Sequence, residues 1–134
     1  MITIPLEKTY ILKNLYDSLT DSGTLSCFEG LMGTAYADDE LNPQCCGIHL
    51  GEYLYIGGNS ESTDFLKELF EYSIENDITI VTLNEDIQAL AKNLYGDNCE
   101  FTTRYQMDSH ISADKNYLLN NIKNLPKEYD LVKI

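Results

Sequence analysis

One short stretch of the chain has the residue types that bind anions through the backbone, Gly57-Gly58-Asn59-Ser60. It follows an apolar run and precedes a segment with helical spacing, so we expect it to connect a strand to a helix. Backbone N–H groups at the start of a helix bind anions. Glu61 and Asp64 follow directly and would repel an anion, and the next basic residue is Lys67. The alternative is a plain turn that uses the conformational freedom of glycine, and we favour it.

A second candidate site is the acidic triplet Asp38-Asp39-Glu40, between two predicted strands. Three neighbouring carboxylates could attract an amine, or bind a hard cation through their oxygens. The spacing does not match an EF-hand loop, and a solvated acidic turn is the reading we favour. The Cys and His spacings match no zinc motif, so the sequence predicts no metal site.

The four cysteines form no CxxC pair, and two of them are adjacent: Cys27, Cys45, Cys46 and Cys99. A nucleophilic cysteine needs a neighbouring base, here His49 or His110, and a site for an oxyanion. The sequence indicates neither arrangement, and free cysteines usually behave as small buried hydrophobes. We therefore predict no catalytic residue.

The charge of the chain limits its partners. Twenty-two acidic and nine basic residues give a net charge of −13, and no Lys or Arg lies between Lys13 and Lys67. Such a field repels nucleic acid and anionic membranes and attracts cations, including cationic small molecules. The ten tyrosines do not alternate with basic residues, which argues against a surface that stacks nucleic-acid bases.

The sequence indicates a cytoplasmic protein. Residues 1–6 lack the basic start and apolar run of a signal peptide, and no segment has the ~20 apolar residues that span a bilayer. We therefore expect reduced cysteines. With 134 residues the chain is long enough for one domain with its own core.

The first half reads as a helix followed by three strands. Pro5 suits the first turn of a helix, which Asp21-Ser22-Gly23 ends, and a short helix or turn follows at Leu25–Glu29. The periodicity then predicts an antiparallel meander with strands at Leu31–Ala37, Cys45–Leu50 and Tyr53–Ile56.

The second half alternates helices and strands. Ser62 and Asn84 are predicted N-caps of two helices, and Gly96 is placed to end the second in the left-handed conformation. A further helix runs from a cap at Ser112 to Pro126. Strands are predicted at Ile78–Leu83 (covered on both faces), Cys99–Met107 and Tyr129–Ile134. The fold class is therefore α/β (α+β), a mixed sheet with helices on both faces in the order α-β-β-β-α-β-α-β-α-β.

This order resembles the core of GNAT-type N-acetyltransferases, and local motifs resemble one subfamily. It is the two-part bacterial family that includes the zwittermicin A resistance acetyltransferase. The matching motifs are Glu29–Tyr36, Asp38-Asp39, Asn42-Pro43, Gly51–Gly58, Thr103-Arg104-Tyr105 and Leu125–Leu131.

The resemblance implies an N-terminal GNAT-like domain over residues 1–134. In that family a second half carries the acetyl-CoA motif, an Arg/Gln-x-x-Gly-x-Gly/Ala turn, which this chain lacks. The stretch Gly57-Gly58-Asn59-Ser60 lies where a GNAT fold would hold the pyrophosphate of acetyl-CoA, but we do not expect this chain to bind it. The acidic triplet Asp38-Asp39-Glu40 could attract the amine that GNAT acceptors often carry. We expect a structural role for Arg104; the alternative is that it docks the missing half.

Three functions remain open. The first is the N-terminal lobe of a GNAT-type N-acetyltransferase, inactive alone, whose partner is the missing C-terminal half. The second is a free-standing interaction module, with a second copy of the chain as partner. The third is a small active acetyltransferase that uses the Gly57-Gly58 turn. A reading frame that continues past Ile134 would favour the first, a dimer in light scattering the second, and acetyl-CoA binding the third.

Overall fold

The computed structural model describes residues 1–16, 21–103 and 114–123. It divides the chain into two compact units, Met1–Glu100 and Phe101–Ile134. The prediction of a single domain over residues 1–134 stays a prediction.

The first unit is built on a five-stranded mixed sheet in the order β1-β2-β3-β4-β5. Its strands are β1 (Ile2–Ile4), β2 (Thr34–Ala37), β3 (Cys45–Leu50), β4 (Tyr53–Gly58) and β5 (Thr79–Val81). The first three pairings are antiparallel, and β4 pairs with β5 in parallel. The predicted meander is confirmed, because a two-residue connection joins β3 directly to β4.

The helices of this unit cover both faces of the sheet. They are a 3₁₀ helix (Leu6–Tyr16), α1 (Ser22–Phe28), α2 (Thr63–Glu75), α3 (Glu85–Tyr95) and a 3₁₀ turn (Gly96–Asn98). Side chains alternate across each strand. One face therefore forms a core with the 3₁₀ helix and α1, around Leu12, Tyr16, Cys27, Cys46, Ile48 and Tyr55. The opposite face forms a second core with α2 and α3, around Leu54, Ile56, Leu66, Leu69, Phe70 and Ile87. The mixed sheet and its helices confirm the predicted fold class.

Of the two caps predicted for α3, Asn84 is confirmed, and Gly96 ends the helix in a conformation other than the predicted one. The Asn84 side chain accepts hydrogen bonds from the N–H groups of Asp86 (2.9 Å) and Ile87 (3.3 Å) and so caps α3. Gly96 ends α3 with a φ of +57°, although its ψ of −125° lies outside the left-handed helical region that we predicted.

The second unit contains α4 (Lys115–Lys123). The carboxylate of Asp114 accepts hydrogen bonds from the N–H groups of Asn116 (2.8 Å) and Tyr117 (3.4 Å), which stabilises the start of this helix. The predicted cap Ser112, the stop at Pro126 and the strand at Tyr129–Ile134 lie outside the described residues.

Three predicted elements near the start of the chain need correction. The strand β1 was missed because Ile2-Thr3-Ile4 is too short to show a period, although two of its three residues are β-branched isoleucines. The first helix is a 3₁₀ helix from Leu6 to Tyr16. The triplet Asp21-Ser22-Gly23 begins α1, because the Asp21 side chain accepts a hydrogen bond from the Gly23 N–H (2.8 Å) and caps that helix.

Three further corrections concern the later strands. Gly57 and Gly58 belong to β4, paired with Cys46 and Cys45, and are not part of the turn. The strand predicted at Ile78–Leu83 is reduced to β5, whose Ile80 and Val81 are only half-buried. Within Cys99–Met107 the described residues 99–103 form no strand, because the chain is still turning where the Cys99 N–H bonds to the Gly96 carbonyl (3.2 Å).

Candidate functional site

The end of β4 is packed directly beneath the 3₁₀ helix. A Cβ atom at Gly57 would lie 2.6 Å from the Leu15 carbonyl oxygen and 2.9 Å from two ring carbons of Tyr16. Real Cβ atoms essentially never come so close to other atoms. Glycine is therefore required at position 57 to bring the helix onto the strand.

The Tyr16 side chain is buried and hydrogen-bonded at the end of β4, and its phenol is uncharged. Its side chain is 5% exposed, and its hydroxyl donates a hydrogen bond to the Tyr55 carbonyl oxygen (2.9 Å). Its ring lies 5.5 Å from that of Phe28, centroid to centroid. Burial, first of all, and the neighbouring Cys46 raise the pKa of the Tyr16 phenol well above its ordinary value. This hydroxyl is therefore a hydrogen-bond donor to the backbone and not an acid at neutral pH.

Gly58, the last residue of β4, contacts Gln44 on one side and Asn84 on the other. Its φ is +96°, and a Cβ there would lie 2.1 Å from the Gln44 carbonyl oxygen. The Asn84 side-chain amide donates a hydrogen bond to the Gly58 carbonyl oxygen (3.0 Å). Asn84 thereby links the end of β4 to the start of α3.

A small cavity of about 220 Å³ remains at this strand end. It is lined by Leu15, Tyr16, Ile56, Gly57, Gly58, Leu83 and Asn84. No lining residue is charged, and pockets for small-molecule ligands usually measure roughly 300–1,000 Å³. The cavity is therefore uncharged and offers no positive charge to an anion.

The residues after β4 use their backbone groups within the protein. The Asn59 N–H bonds to the Gln44 carbonyl oxygen (2.9 Å), and the Glu61 N–H bonds to the Asn59 side chain (3.0 Å). The Thr63 N–H bonds in turn to the Glu61 carbonyl oxygen (2.8 Å). These three N–H groups are thus occupied, and the anion site at Gly57-Gly58-Asn59-Ser60 stays a prediction.

Asp38, in the acidic triplet, bonds both to the start of β3 and to Ser62, directly before α2. One carboxylate oxygen accepts hydrogen bonds from the N–H groups of Gln44 (3.0 Å) and Cys45 (3.2 Å). The other accepts a hydrogen bond from the Ser62 hydroxyl. Ser62 precedes α2 as predicted, but its side chain makes no capping hydrogen bond and contacts Asp38 instead.

The pKa of Asp38 reflects these contacts. Burial alone would raise it, but the hydrogen bonds from Ser62, Gln44 and Cys45 together outweigh burial and hold it below its ordinary value. Asp38 is therefore a carboxylate at neutral pH, at the start of a helix, where negative charge is favourable.

The other two acidic side chains of the triplet also have partners. Asp39 accepts hydrogen bonds from the N–H groups of Leu41 and Asn42, both at 2.8 Å. Glu40 forms an ion pair with Lys8 of the 3₁₀ helix at 3.3 Å. These contacts stabilise the loop, and attraction of an amine by Asp38, Asp39 and Glu40 stays a prediction.

A polar network that the sequence did not indicate lies on the α2 face of the sheet. The Tyr36 hydroxyl bonds to that of Tyr72 (3.2 Å), and the Tyr72 hydroxyl bonds to Nδ1 of His49 (2.8 Å). Nε2 of His49 lies 2.9 Å from the Gly51 carbonyl oxygen. Because a carbonyl only accepts, the network assigns the proton of neutral His49 to Nε2. Tyr72 then donates to Nδ1, and Tyr36 donates to Tyr72.

Burial, followed by the hydrogen bond to Tyr72, raises the pKa of Tyr36 to about 12. Tyr36 and His49 occupy adjacent strands, and both side chains contact Tyr72. Alternation within the two strands could have placed this pair on one face, but the helix partner has no signal in the sequence.

The buried cysteines are poor nucleophiles. Burial raises the pKa of Cys45 to about 12, with a further contribution from the charge of Asp38. Burial also raises the pKa of Cys46 and of Cys27. Since thiolates are the reactive form, these thiols are unreactive at neutral pH. Arg104 and His110 lie outside the described residues.

The described residues contain neither a metal-binding cluster nor a membrane-spanning helix. No three His, Cys, Asp or Glu side chains of residues 1–16, 21–103 and 114–123 lie close enough to hold a metal ion. In the same part of the chain, no helix combines the length and apolar character needed to cross a membrane.

Comparison with known proteins now gives the family. No curated protein matches the sequence. A solved GCN5-related N-acetyltransferase-like protein from Streptococcus suis superposes with a TM-score of 0.74 and 24% sequence identity. The match covers 94% of this chain but 50% of that one, so the chain spans half the length of the protein it resembles. The family model for GNAT acetyltransferase matches residues 13–134, and the chain therefore belongs to the GNAT acetyltransferase family.

Proposed function

We propose that this chain is the N-terminal lobe of a two-part N-acetyltransferase, and that the lobe is inactive alone. In the longer protein the reaction would transfer an acetyl group from acetyl-CoA to an amine. The observation that carries this proposal is the family match over residues 13–134. The half-length match to the Streptococcus suis protein and the motifs shared with the two-part zwittermicin A resistance family support it.

The residues of the described chain do not fit acetyl-CoA. The pyrophosphate needs N–H donors or cations, but the start of α2 carries Glu61 and Asp64, and Asp38 of the β2–β3 loop is bonded to Ser62 there. The nearest lysine on α2, Lys67, forms an ion pair with Asp64 at 3.5 Å. The cavity at the end of β4, about 220 Å³, is smaller than typical ligand pockets. We therefore assign no step of the reaction to this chain.

The role left for the lobe is on the substrate side. Acetyl transfer needs a thioester site, a base for the amine and a donor for the oxyanion, and these belong in our proposal to a C-terminal half. The contribution of this chain is its acidic field, with a net charge of −13, which concentrates cationic amines near the protein. The acidic triplet Asp38-Asp39-Glu40 is part of that field, and its backbone hydrogen bonds fix the loop in place.

The direct test is an acetyl-transfer assay on two proteins. One is the 134-residue chain, and the other is the longest natural protein encoded by its reading frame. Release of free CoA from acetyl-CoA is measured with a panel of primary amines. We expect turnover only from a protein that carries a C-terminal half. Turnover by the 134-residue chain alone, abolished by changing residues at the end of β4, would contradict the proposal.

A free-standing interaction module is the second candidate, and exposed apolar side chains favour it. Leu41 is 91% exposed and Leu31 71% exposed, and Met32 and Ile74 are also exposed. Such side chains would mark a protein interface if they form one contiguous apolar patch. The strand β1 also has a paired neighbour on one side only, within the described residues. Light scattering tests this candidate: a stable dimer favours it, and a monomer at high concentration argues against it.

A further inference from the structure

We infer that this chain closes, with its own side chains, the two places at which its fold would receive acetyl-CoA. The ring of Tyr16 packs against Gly57 at the end of β4 and leaves a cavity of only about 220 Å³ there. The carboxylate of Asp38, bonded to Ser62, places a negative charge directly before α2. This inference rests on the proposed function for the identity of the ligand, and on the contacts of Tyr16 and Asp38 for the closure.

The first closure is a packed contact between a helix and a strand end. Tyr16 is 5% exposed, and its ring carbons leave room for only a hydrogen atom at Gly57. Its hydroxyl is bonded to the Tyr55 carbonyl oxygen, so rotating the ring away from Gly57 would break that bond and expose the ring. A ligand larger than the remaining cavity of about 220 Å³ would have to displace Tyr16 from its contact with Gly57.

The second closure is electrostatic. Asp38 comes from the loop between β2 and β3, where one carboxylate oxygen accepts hydrogen bonds from the N–H groups of Gln44 and Cys45, while the other accepts a hydrogen bond from Ser62, directly before α2. Its hydrogen bonds hold it in the charged form. A phosphate brought to the start of α2 would meet this fixed negative charge, and no cation of the described residues is bound to Asp38 to offset it.

The two closures are connected through Gln44, whose backbone bonds to both Asn59 and Asp38. Asn59, directly after Gly58, bonds to the carbonyl of Gln44, while the N–H of the same Gln44 bonds to Asp38. The loop after β4 is therefore fixed both to the acidic triplet and to the strand end. Together with the hydrogen bond from Asn84 to Gly58, these contacts link the end of β4 to the starts of α2 and α3.

The test of the electrostatic closure is a ¹⁵N–¹H NMR titration of the 134-residue chain. Acetyl-CoA and inorganic pyrophosphate are added separately, and the amide signals of Gly57, Gly58, Ser60, Ser62 and Asp64 are followed. We expect no saturable displacement of these signals by either probe. Saturable displacement by either would overturn the inference. Displacement by pyrophosphate alone would overturn the electrostatic closure and leave the proposed function standing, whereas displacement by acetyl-CoA would count against both; the acetyl-transfer assay tests the proposed function separately.

The test of the packed closure is chemical complementation of Tyr16→Ala by phenol, the part of the tyrosine side chain that alanine lacks. Phenol should bind in the space that the ring leaves and raise the melting temperature of the variant by several degrees. Tyr16→Phe is the matched control, because it keeps the ring, and phenol should leave its melting temperature unchanged. An equal response of both variants would show that the Tyr16 ring is not packed against Gly57. If Tyr16→Ala does not fold, the titration of the unaltered chain still decides the inference.

Discussion

The end of β4 and the network at His49 use polar groups in different ways. At the strand end, the side chains of Tyr16 and Asn84 each bond to backbone carbonyls. At the His49 network, side chains bond mainly to one another, from Tyr36 through Tyr72 to His49, and all three are only partly buried. A side chain bonded to backbone fixes the position of the chain, whereas linked hydroxyl and imidazole groups can change the direction of their protons. The comparison indicates that the side chains at the strand end hold the backbone in place, whereas those on the α2 face are held mainly by one another.

The largest expected effect follows from removing the ring at the strand end. Tyr16→Ala should lower the free energy of unfolding by about 3–5 kcal/mol, the usual cost of deleting a buried aromatic side chain. Tyr16→Phe keeps the ring and loses the hydrogen bond to Tyr55, so it should cost about 1 kcal/mol. Denaturant unfolding measures both. Equal losses in the two variants would show that the ring is not packed as described.

The next effect concerns the anchored carboxylate. Asp38→Asn removes the charge that Ser62, Gln44 and Cys45 stabilise, and should lower the free energy of unfolding by about 1–2 kcal/mol at neutral pH. Because the pKa of Asp38 is lowered in the folded protein, its stabilisation is present above its ordinary pKa of about 3.9 and is lost as the pH falls through the folded value. The difference between wild type and variant should therefore shrink below about pH 4. A difference that stays constant down to pH 2 would contradict this assignment.

A smaller effect is expected in the hydroxyl network. Tyr72→Phe removes the link between Tyr36 and His49, and should cost about 1 kcal/mol of unfolding free energy. Tyr10→Phe is the control, because Tyr10 is 64% exposed. Urea unfolding of the two variants separates them. A Tyr72→Phe protein as stable as the control would show that the network adds nothing to the fold.

The smallest effect is expected at the outer ion pair. Glu40→Gln breaks the contact with Lys8, but both side chains are about half exposed and solvent screens the pair. The unfolding free energy should change by less than about 0.5 kcal/mol. A loss as large as that of Asp38→Asn would mean that Glu40 and Asp38 stabilise the fold equally, although Asp38 is the more buried of the two.

Much of the fold could be predicted from local patterns. The meander strands, α2 and α3 follow from apolar periodicity, and Asn84 was recognised as a cap because that signal lies within three residues. The strand β1 was missed because three residues carry too little periodicity. Gly57 and Gly58 were assigned to a turn because glycine usually marks one, whereas here they allow the 3₁₀ helix and Gln44 to approach β4.

The site could not be predicted in the same way, because its contacts join distant parts of the chain. Ser62 has the residue type of a cap, but its partner Asp38 is 24 positions away. Tyr72 is 23 positions from His49 and 36 from Tyr36. The acidic triplet was visible as charge, but its bonding depends on which backbone N–H groups the fold brings to it. Such contacts follow from the packing of α2 on the sheet and leave no local pattern.

The central proposal is that this chain does not itself bind acetyl-CoA. Thermal unfolding of the 134-residue chain, with acetyl-CoA added up to large excess, tests it most directly. A ligand at 100 times its dissociation constant would stabilise the folded state by about 2.7 kcal/mol, which would raise the melting temperature by several degrees. We predict an unchanged melting temperature for a cooperatively folded protein. A dose-dependent rise would show a working cofactor site in this chain and would contradict the account.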